Sequence, residues 1–183
     1  MTIKIKIREA VDSDSPGIEQ TLQQAFNDHP HSSNNEHKIV SALRQQQQLS
    51  LMLVAVDTAS DAAPLVGCVA FSPVTIMLDS HGVAEEMPHA RWCALGPVAV
   101  RPDQQREGIG SKLIQMGLYQ MKQRAFDGCV LVGEPAFYRR FGFLQHSGLV
   151  FPGLPAEYFH SLLWRGEQPQ GTVKYAAAFS EVT

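Results

Sequence analysis

The chain has 183 residues, of which 44% are apolar and 18% charged, and its formal net charge is -3. That is a globular composition, large enough for one domain with its own core. It argues against a protein that engages nucleic acid or an anionic membrane through bulk positive charge, and no run approaches the ~18 apolar residues of a membrane span. Cys68, Cys93 and Cys129 are odd in number and far apart, which speaks against a disulfide framework and for reduced, buried thiols in a cytosolic protein. The start alternates Ile3, Ile5 and Ile7 with Lys4, Lys6 and Arg8, so it does not read as a signal peptide; the expected location is cytoplasmic.

That alternation predicts a half-buried strand over 3–7. Asp12 to Pro16 supplies a helix start, with Ser15 as N-cap and Pro16 in the first turn, and Ile18, Leu22, Ala25 and Phe26 continue at helical spacing. Residues 27–35 are polar and rich in His and Ser, hence a loop. Ile39, Val40 and Leu43 predict a second helix over 36–48. Apolar runs at 49–56 and 65–74, joined by a turn-rich connection, read as a β-hairpin. A loop is expected over 81–89, then a buried strand over 92–100. Gly96 and Pro97 interrupt that strand and require a bulge or a free edge.

A polar loop after Pro102 ends in Gly108, Ile109 and Gly110. A helix from Ser111 follows, with Ile114, Leu118, Met121 and Ala125 on one face. Residues 129–132 form a short strand and 135–141 a short helix stopped by Gly142. Residues 171–175 read as a last strand. There is no internal repeat and no domain-separating linker, so 1–183 is expected to be a single domain. Its sheet is mixed, antiparallel early and locally parallel around 92–132.

The loop after the 92–100 strand carries the chemistry. A strand that feeds a glycine-containing loop and then a helix presents unpaired amides and a positive dipole end, which attract phosphate. Gly108 and Gly110 allow close backbone approach and positive φ. Between Arg101 and Arg124 stand Arg101, Arg106, Lys112, Lys122 and Arg124 against only Asp103 and Glu107, a local excess compatible with a phosphorylated ligand or with a solvated helix face. A nucleoside-triphosphate P-loop is excluded, because Lys112 follows Ser111 rather than a glycine. A dinucleotide fingerprint is excluded by Leu113, which stands where its third glycine would be.

What remains is Gln105-x-x-Gly108-x-Gly110, preceded by Val98, Ala99 and Val100 and followed by Ser111, Lys112 and Leu113. This resembles the pyrophosphate loop of the GCN5-related N-acetyltransferase (GNAT) superfamily. The segment from Pro135 to Phe143, with Phe137, Tyr138, Phe141 and Gly142, resembles that family's short helix. The segments 71–76 and 171–179 look like its YhbS-like branch. Membership implies an α/β fold with a mixed, centrally splayed β-sheet and helices on both faces. It implies acetyl-CoA as co-substrate, with Val98, Ala99, Val100, Gln105, Arg106, Glu107, Gly108, Ile109, Gly110, Ser111 and Tyr138 holding it. It also implies direct transfer to an amine within a ternary complex, with Tyr138 protonating the departing thiolate. The acceptor would be a small-molecule or peptide amine; neither nucleic acid nor membrane is expected as a partner, and related proteins often pair as homodimers.

The chain departs from the resemblance at Glu134, where relatives carry Asp, Asn or a small residue, so a part for Glu134 in base chemistry stays open. Glu85 and Glu86, in a loop able to close, are further carboxylates. The alternative to an enzyme is an acyl-CoA-binding sensor that kept the donor site and lost transfer.

No metal is expected, since neither proton transfer requires one and the sequence assembles no ligand set. His29, His31 and His37 lie in polar sequence without an accompanying carboxylate or Cys pattern, and are expected at the solvent surface. The Gly-x-Ser-x-Gly elbow of hydrolases is absent. Met77, Met87, Met116 and Met121 are read as core or pocket filler.

Overall fold

The computed structural model describes residues 4–27, 35–59, 61–80 and 83–181. His29, His31 and Ile3 therefore lie outside the described residues. In chain order the elements are β1 (Ile5–Glu9), α1 (Ser15–Phe26), α2 (Glu36–Gln45), β2 (Leu51–Asp57), β3 (Leu65–Ser80), β4 (Val83–Glu86), β5 (Trp92–Val100), α3 (Ile109–Gln123), β6 (Gly128–Val132), α4 (Pro135–Tyr138), β7 (Leu149–Val150), β8 (Phe159–Leu163), β9 (Gly171–Tyr175) and α5 (Ala178–Glu181). The strands form a mostly antiparallel sheet in the order β1-β2-β3-β5-β6-β8; β4 and β9 also pair with β3, and β7 with β9. The chain divides into two units, Met1–Phe71 with Gly96–Gly117 and Ala177–Thr183, and Ser72–Leu95 with Leu118–Ala176.

In the first unit, β1 pairs antiparallel with β2 from Ile5↔Asp57 to Glu9↔Leu53, and β2 with β3 from Leu51↔Phe71, as the hairpin reading expected. Strand alternation decides what covers each face. Cys68 and Ala70 of β3 join Met52, Val54, Val56 and Ala99 in a core closed by Ile18 and Leu22 of α1 and Val40 of α2. The intervening β3 residues face α3. A Cβ on Gly67 would meet Leu113 Cδ1 at 3.2 Å and Ile109 Cγ2 at 3.3 Å, and a Cβ on Gly117 would strike the Phe71 ring. Two glycines, one on the strand and one on the helix, thus let α3 lie close to β3. Helices cover both faces here, as expected.

The second unit is built on the far part of β3, which pairs with β9 from Val74↔Tyr175 to Met77↔Thr172 and with β4 from Met77↔Glu86 to Ser80↔Val83. β5 and β6 run parallel from Trp92↔Gly128 to Ala94↔Val130, and β6 continues antiparallel against β8. Val74, Ile76, Trp92, Ala94, Val130, Leu149, Phe159 and Val173 form this unit's core. The β5–β6 register ends at Ala94↔Val130, although β5 runs on to Val100 and β6 to Val132. That parting is the expected splay.

Several local expectations are corrected. Ser15 is the first helical residue rather than the N-cap; Asp14 takes the cap position, and its carboxylate turns back to accept from Arg8 Nη1 at 2.6 Å and from the Val11 amide at 2.8 Å. The second helix ends at Gln45, and Gln47 has φ 55°. β3 extends to Ser80, and the loop expected over 81–89 contains β4 instead, because β3 offers a partner edge. α3 begins at Ile109, two residues early, and Ala125 with φ 64° lies past its end rather than on its apolar face. β7 and β8 were not anticipated.

Gly128 meets the ring of Trp92, a buried residue and its own register partner, where a Cβ would lie 2.7 Å from Cζ2. Gly128→Ala should therefore lower stability by about 1–3 kcal/mol through overpacking. An unchanged urea midpoint and slope would show that the indole can move aside.

Candidate active site

The donor half of the expected site lies in the first unit. Ala99 is 2% exposed and belongs to the core, so its neighbours Val98 and Val100 project from the other face of β5, half-buried. The end of β5 is tied down where the Arg101 amide donates to Val66 O at 2.9 Å. Gln105 reaches back, Nε2 donating to Val100 O at 3.1 Å. Arg106 (φ 67°) and Gly108 (φ 77°) then reverse the chain through left-handed conformations, and the Lys112 amide closes the first turn on Gly108 O at 3.0 Å. The amides of Ile109, Gly110 and Ser111 stand in that first turn, where no carbonyl four residues back is available. Ile109 is buried and can contribute only its backbone, whereas Gln105, Arg106, Glu107 and Gly108 are exposed. Space above Gly108 is open: chain neighbours aside, no atom of the described residues lies within 4 Å of where a Cβ would stand.

The positive φ that both glycines permit is used by Gly108 and not by Gly110. Gly110 is helical, and a Cβ there would make ordinary contact with Val100 Cγ2 at 3.6 Å. The local excess of positive charge also shrinks. Arg101 is engaged by Asp103 through Nε at 3.1 Å and Nη2 at 2.8 Å, so Arg106 and Lys112 are the cations beside the helix start. A separate open cleft of about 480 Å³, lined by Gln23, Gln24, Asn27, Arg101, Pro102 and Asp103, includes none of the expected donor-binding residues.

The second unit holds Glu134 and Tyr138. Glu134 precedes α4 in an extended conformation, its side chain exposed, and its carbonyl accepts from the amides of Phe137 (3.0 Å) and Tyr138 (3.2 Å). Pro135 suits the first helical position, which needs no amide. Gly142 ends the segment with φ 90°, as anticipated. The Tyr138 ring meets Phe137 edge-on at 4.9 Å and Phe143 at 6.2 Å, and covers Gly133 so closely that a Cβ there would lie 2.9 Å from Tyr138 Cδ2. Burial pushes the Tyr138 phenol up to about 12.

His160, on β8, was missed by sequence reasoning. It is 5% exposed, and its buried Nε2 has no hydrogen-bond partner among the described residues. Burial lowers its pKa, the Glu134 charge opposes that, and Arg139 adds to it. A histidine inside an alternating segment was the only sequence signal, and it needed β8 to be recognised first.

Glu85 and Glu86 are exposed residues of β4 rather than of a closing loop. Met121 is core, but Met116 is 39% exposed and fills none. All three cysteines are free and buried. Among the described residues no group of three His, Cys, Asp or Glu could hold a metal ion, and no helix is long and apolar enough to cross a membrane.

β5 leaves its register with β6 after Ala94 and runs into a glycine loop that opens α3. The chain belongs to the acetyltransferase (GNAT) domain family, whose model matches residues 6–145. It is 34% identical over 137 residues to the uncharacterized N-acetyltransferase YhbS of Escherichia coli K12, covering 75% of this chain and 72% of that one. The solved YhbS structure from Escherichia coli, in complex with CoA, aligns with a TM-score of 0.81 at 30% identity over 98% of this chain and 94% of that chain. A GNAT family acetyltransferase from Brucella melitensis, in complex with acetyl-CoA, aligns with a TM-score of 0.78 at 38% identity, covering 97% and 99%.

The two loop glycines should respond oppositely to alanine. Gly108→Ala should cost about 1–2 kcal/mol, the penalty of a Cβ in a left-handed conformation. Gly110→Ala should be neutral or stabilising by up to ~1 kcal/mol, since it replaces glycine within a helix. Denaturant midpoints of the two variants check this ordering.

Proposed function

We propose that the chain is an acetyl-CoA-dependent N-acetyltransferase that transfers the acetyl group directly to an amine within a ternary complex. We also propose that residues 1–183 act as a single N-acetyltransferase domain, cytoplasmic, and able to form homodimers. The observation that carries the donor assignment is the helix start at Ile109, presented by exposed Gly108 under open space. The amides of Gly108, Ile109, Gly110 and Ser111 would take the pyrophosphate, with Arg106 and Gln105 at its edge and Glu107 on the same turn. Beyond the point where β5 leaves β6, Val98 and Val100, flanking Ala99, would pair with the pantetheine amides as an added strand. A main-chain amide there would polarise the thioester carbonyl. The complexes of the Brucella melitensis and Escherichia coli proteins with acetyl-CoA and CoA support the same donor.

In the reaction the amine nitrogen attacks the thioester carbon, the C–S bond breaks, and a proton passes from nitrogen to sulfur. Tyr138 serves the sulfur side. Its phenol, pushed up to about 12 by burial, stays protonated through neutral pH and can give its proton to the sulfur as the C–S bond breaks. Glu134, exposed ahead of α4, is the nearby carboxylate able to take the amine's proton directly or through water.

Calorimetry with acetyl-CoA and acetyl-pantetheine should show at least tenfold weaker binding of the phosphate-free arm; equal affinities would remove the loop from phosphate binding. Gly110→Val should bind acetyl-CoA poorly while melting near the parent. Tyr138→Phe should lower kcat about 10²-fold, the low end for an acid–base group, with acetyl-CoA affinity unchanged. Because the phenol sits near 12, Tyr138 should add no basic limb to the pH–rate profile below about pH 10. Thiol release from acetyl-CoA that fails to rise with any amine in an acceptor screen would favour the sensor reading.

A further inference from the structure

The end of β6 has two opposite sides. Gly133 presents its bare Cα to the Tyr138 ring, since a Cβ there would lie 2.9 Å from Tyr138 Cδ2. Val132 belongs to the strand and Glu134 is still extended, so the side chains keep alternating and both of these point away from Tyr138. They stand roughly 6.5 Å apart, two residues along an extended chain. Val132 shares its face with its register partner Phe159, which stacks on Phe151 at 5.7 Å. The Gly133 amide donates to Tyr158 O at 2.8 Å, and this holds the short turn Ala156–Tyr158 beside the same strand end.

Two apolar side chains stay open to solvent at this corner. Val132 is 37% exposed and Tyr158 40%, although Phe159, which follows one and pairs with the other, is buried. The register with β5 ends at Val130, so Val132 lies where the sheet has already parted. The charge beside this apolar surface is negative. Glu134 is exposed next to it, and Glu157, exposed in the turn before β8, adds a second carboxylate at this end of the sheet. The cations of the neighbouring turn, Arg139 and Arg140, come after Tyr138, and Arg140 is stacked 4.0 Å over the Phe137 ring.

We propose that Val132, Glu134 and Tyr158 form the acceptor-recognition surface and select a protonated primary amine carried on an apolar stem. The inference rests on the reading of the chain as an amine acetyltransferase and narrows its acceptor. The ammonium pairs with the Glu134 carboxylate, and the stem lies along Val132 and Tyr158, over a spacing of roughly 6.5 Å. A chain of methylenes gains by covering exposed apolar surface. The further ammonium of a polyamine, or the amide groups of a peptide, would meet Val132 without a polar partner. One strand end thus serves both substrates, with Tyr138 on the sulfur side of Gly133 and the amine on the other.

Two measurements test this. At about pH 8 an alkylamine is protonated, like the lysine side chain. Thiol release from acetyl-CoA is followed with ethylamine, hexylamine and putrescine. Hexylamine should exceed ethylamine in kcat/KM by about tenfold, and putrescine should not. Val132→Thr, which keeps a β-branched side chain in the strand, should narrow the hexylamine-to-ethylamine ratio at least about threefold. In parallel, tyrosine labelled at 13Cζ gives one resonance for each of four tyrosines, with Tyr158 assigned by Tyr158→Phe. Hexylamine, added with and without CoA, should move the Tyr158 resonance saturably and leave that of Tyr119, exposed on α3, in place. Glu134→Gln should weaken that titration severalfold. Equal kcat/KM for ethylamine and hexylamine, a preference for putrescine, or a Tyr158 resonance that hexylamine leaves unmoved overturns the proposal. If Val132→Thr does not fold, the stem series in the parent and the Glu134→Gln titration decide alone. A saturable, Glu134-dependent shift of Tyr158 without thiol release from any amine would leave the recognition surface standing and sink amine acetylation. Thiol release that rises with amines regardless of stem would do the reverse.

Discussion

The first amides of a helix have no carbonyl to meet, and where α3 begins determines what those amides face. Its start at Ile109 is fixed from below by packing, because Ile109 and Leu113 settle onto the bare backbone of Gly67. It is fixed from the front by the left-handed pair Arg106 and Gly108, which bring the chain off β5 and into the first turn without a side chain over the opening. Moving the start by one residue would turn either the buried Ile109 or the exposed loop onto the wrong face. The direction these amides face is thus a by-product of core packing rather than of the flanking charges, one of which, Arg101, is already held by Asp103.

The second unit uses the same device in another setting. Gly133, like Gly67, is a place where a side chain would obstruct a neighbour. At Gly67 the neighbour is a helix. At Gly133 it is an aromatic ring, held by Phe137 and Phe143 and pressed onto main chain. Arg140 closes the outer side of this group, lying 4.0 Å over the Phe137 ring and donating from Nε to Phe137 O at 2.9 Å. Such a cation–π contact holds a long side chain flat and rigidifies the turn after Tyr138.

What the sequence revealed follows from what leaves a mark on it. A glycine needed for φ 77°, a proline at the start of α4 and a glycine at φ 90° at its end are chemically distinctive, so the loop and the short helix were legible. The strand over 92–100 was legible because both its faces are apolar near its start. β8 was not, because its run Phe159, His160, Ser161 buries two polar side chains that resemble a solvated segment. Its strand character comes from pairing with β6 and from the bridge to Leu144, which are tertiary facts. β4 carries adjacent glutamates and exists because β3 runs on to offer it an edge. Ser15 lost the cap position to Asp14 because Arg8, distant in local pattern, comes to lie beside it. His160 was hidden for the same reason as β8.

The three cysteines, each fully buried, have a practical consequence. Burial alone pushes the Cys68 thiol up to about 12, so almost none is present as the reactive thiolate at neutral pH. Cys93 and Cys129 face each other across parallel strands in the middle of the sheet, out of reach of solvent. A chromogenic disulfide reagent added to the folded protein would therefore find no sulfur of its own to consume. Colour would report only the coenzyme thiol set free, and a slow background from the protein would count the molecules that open.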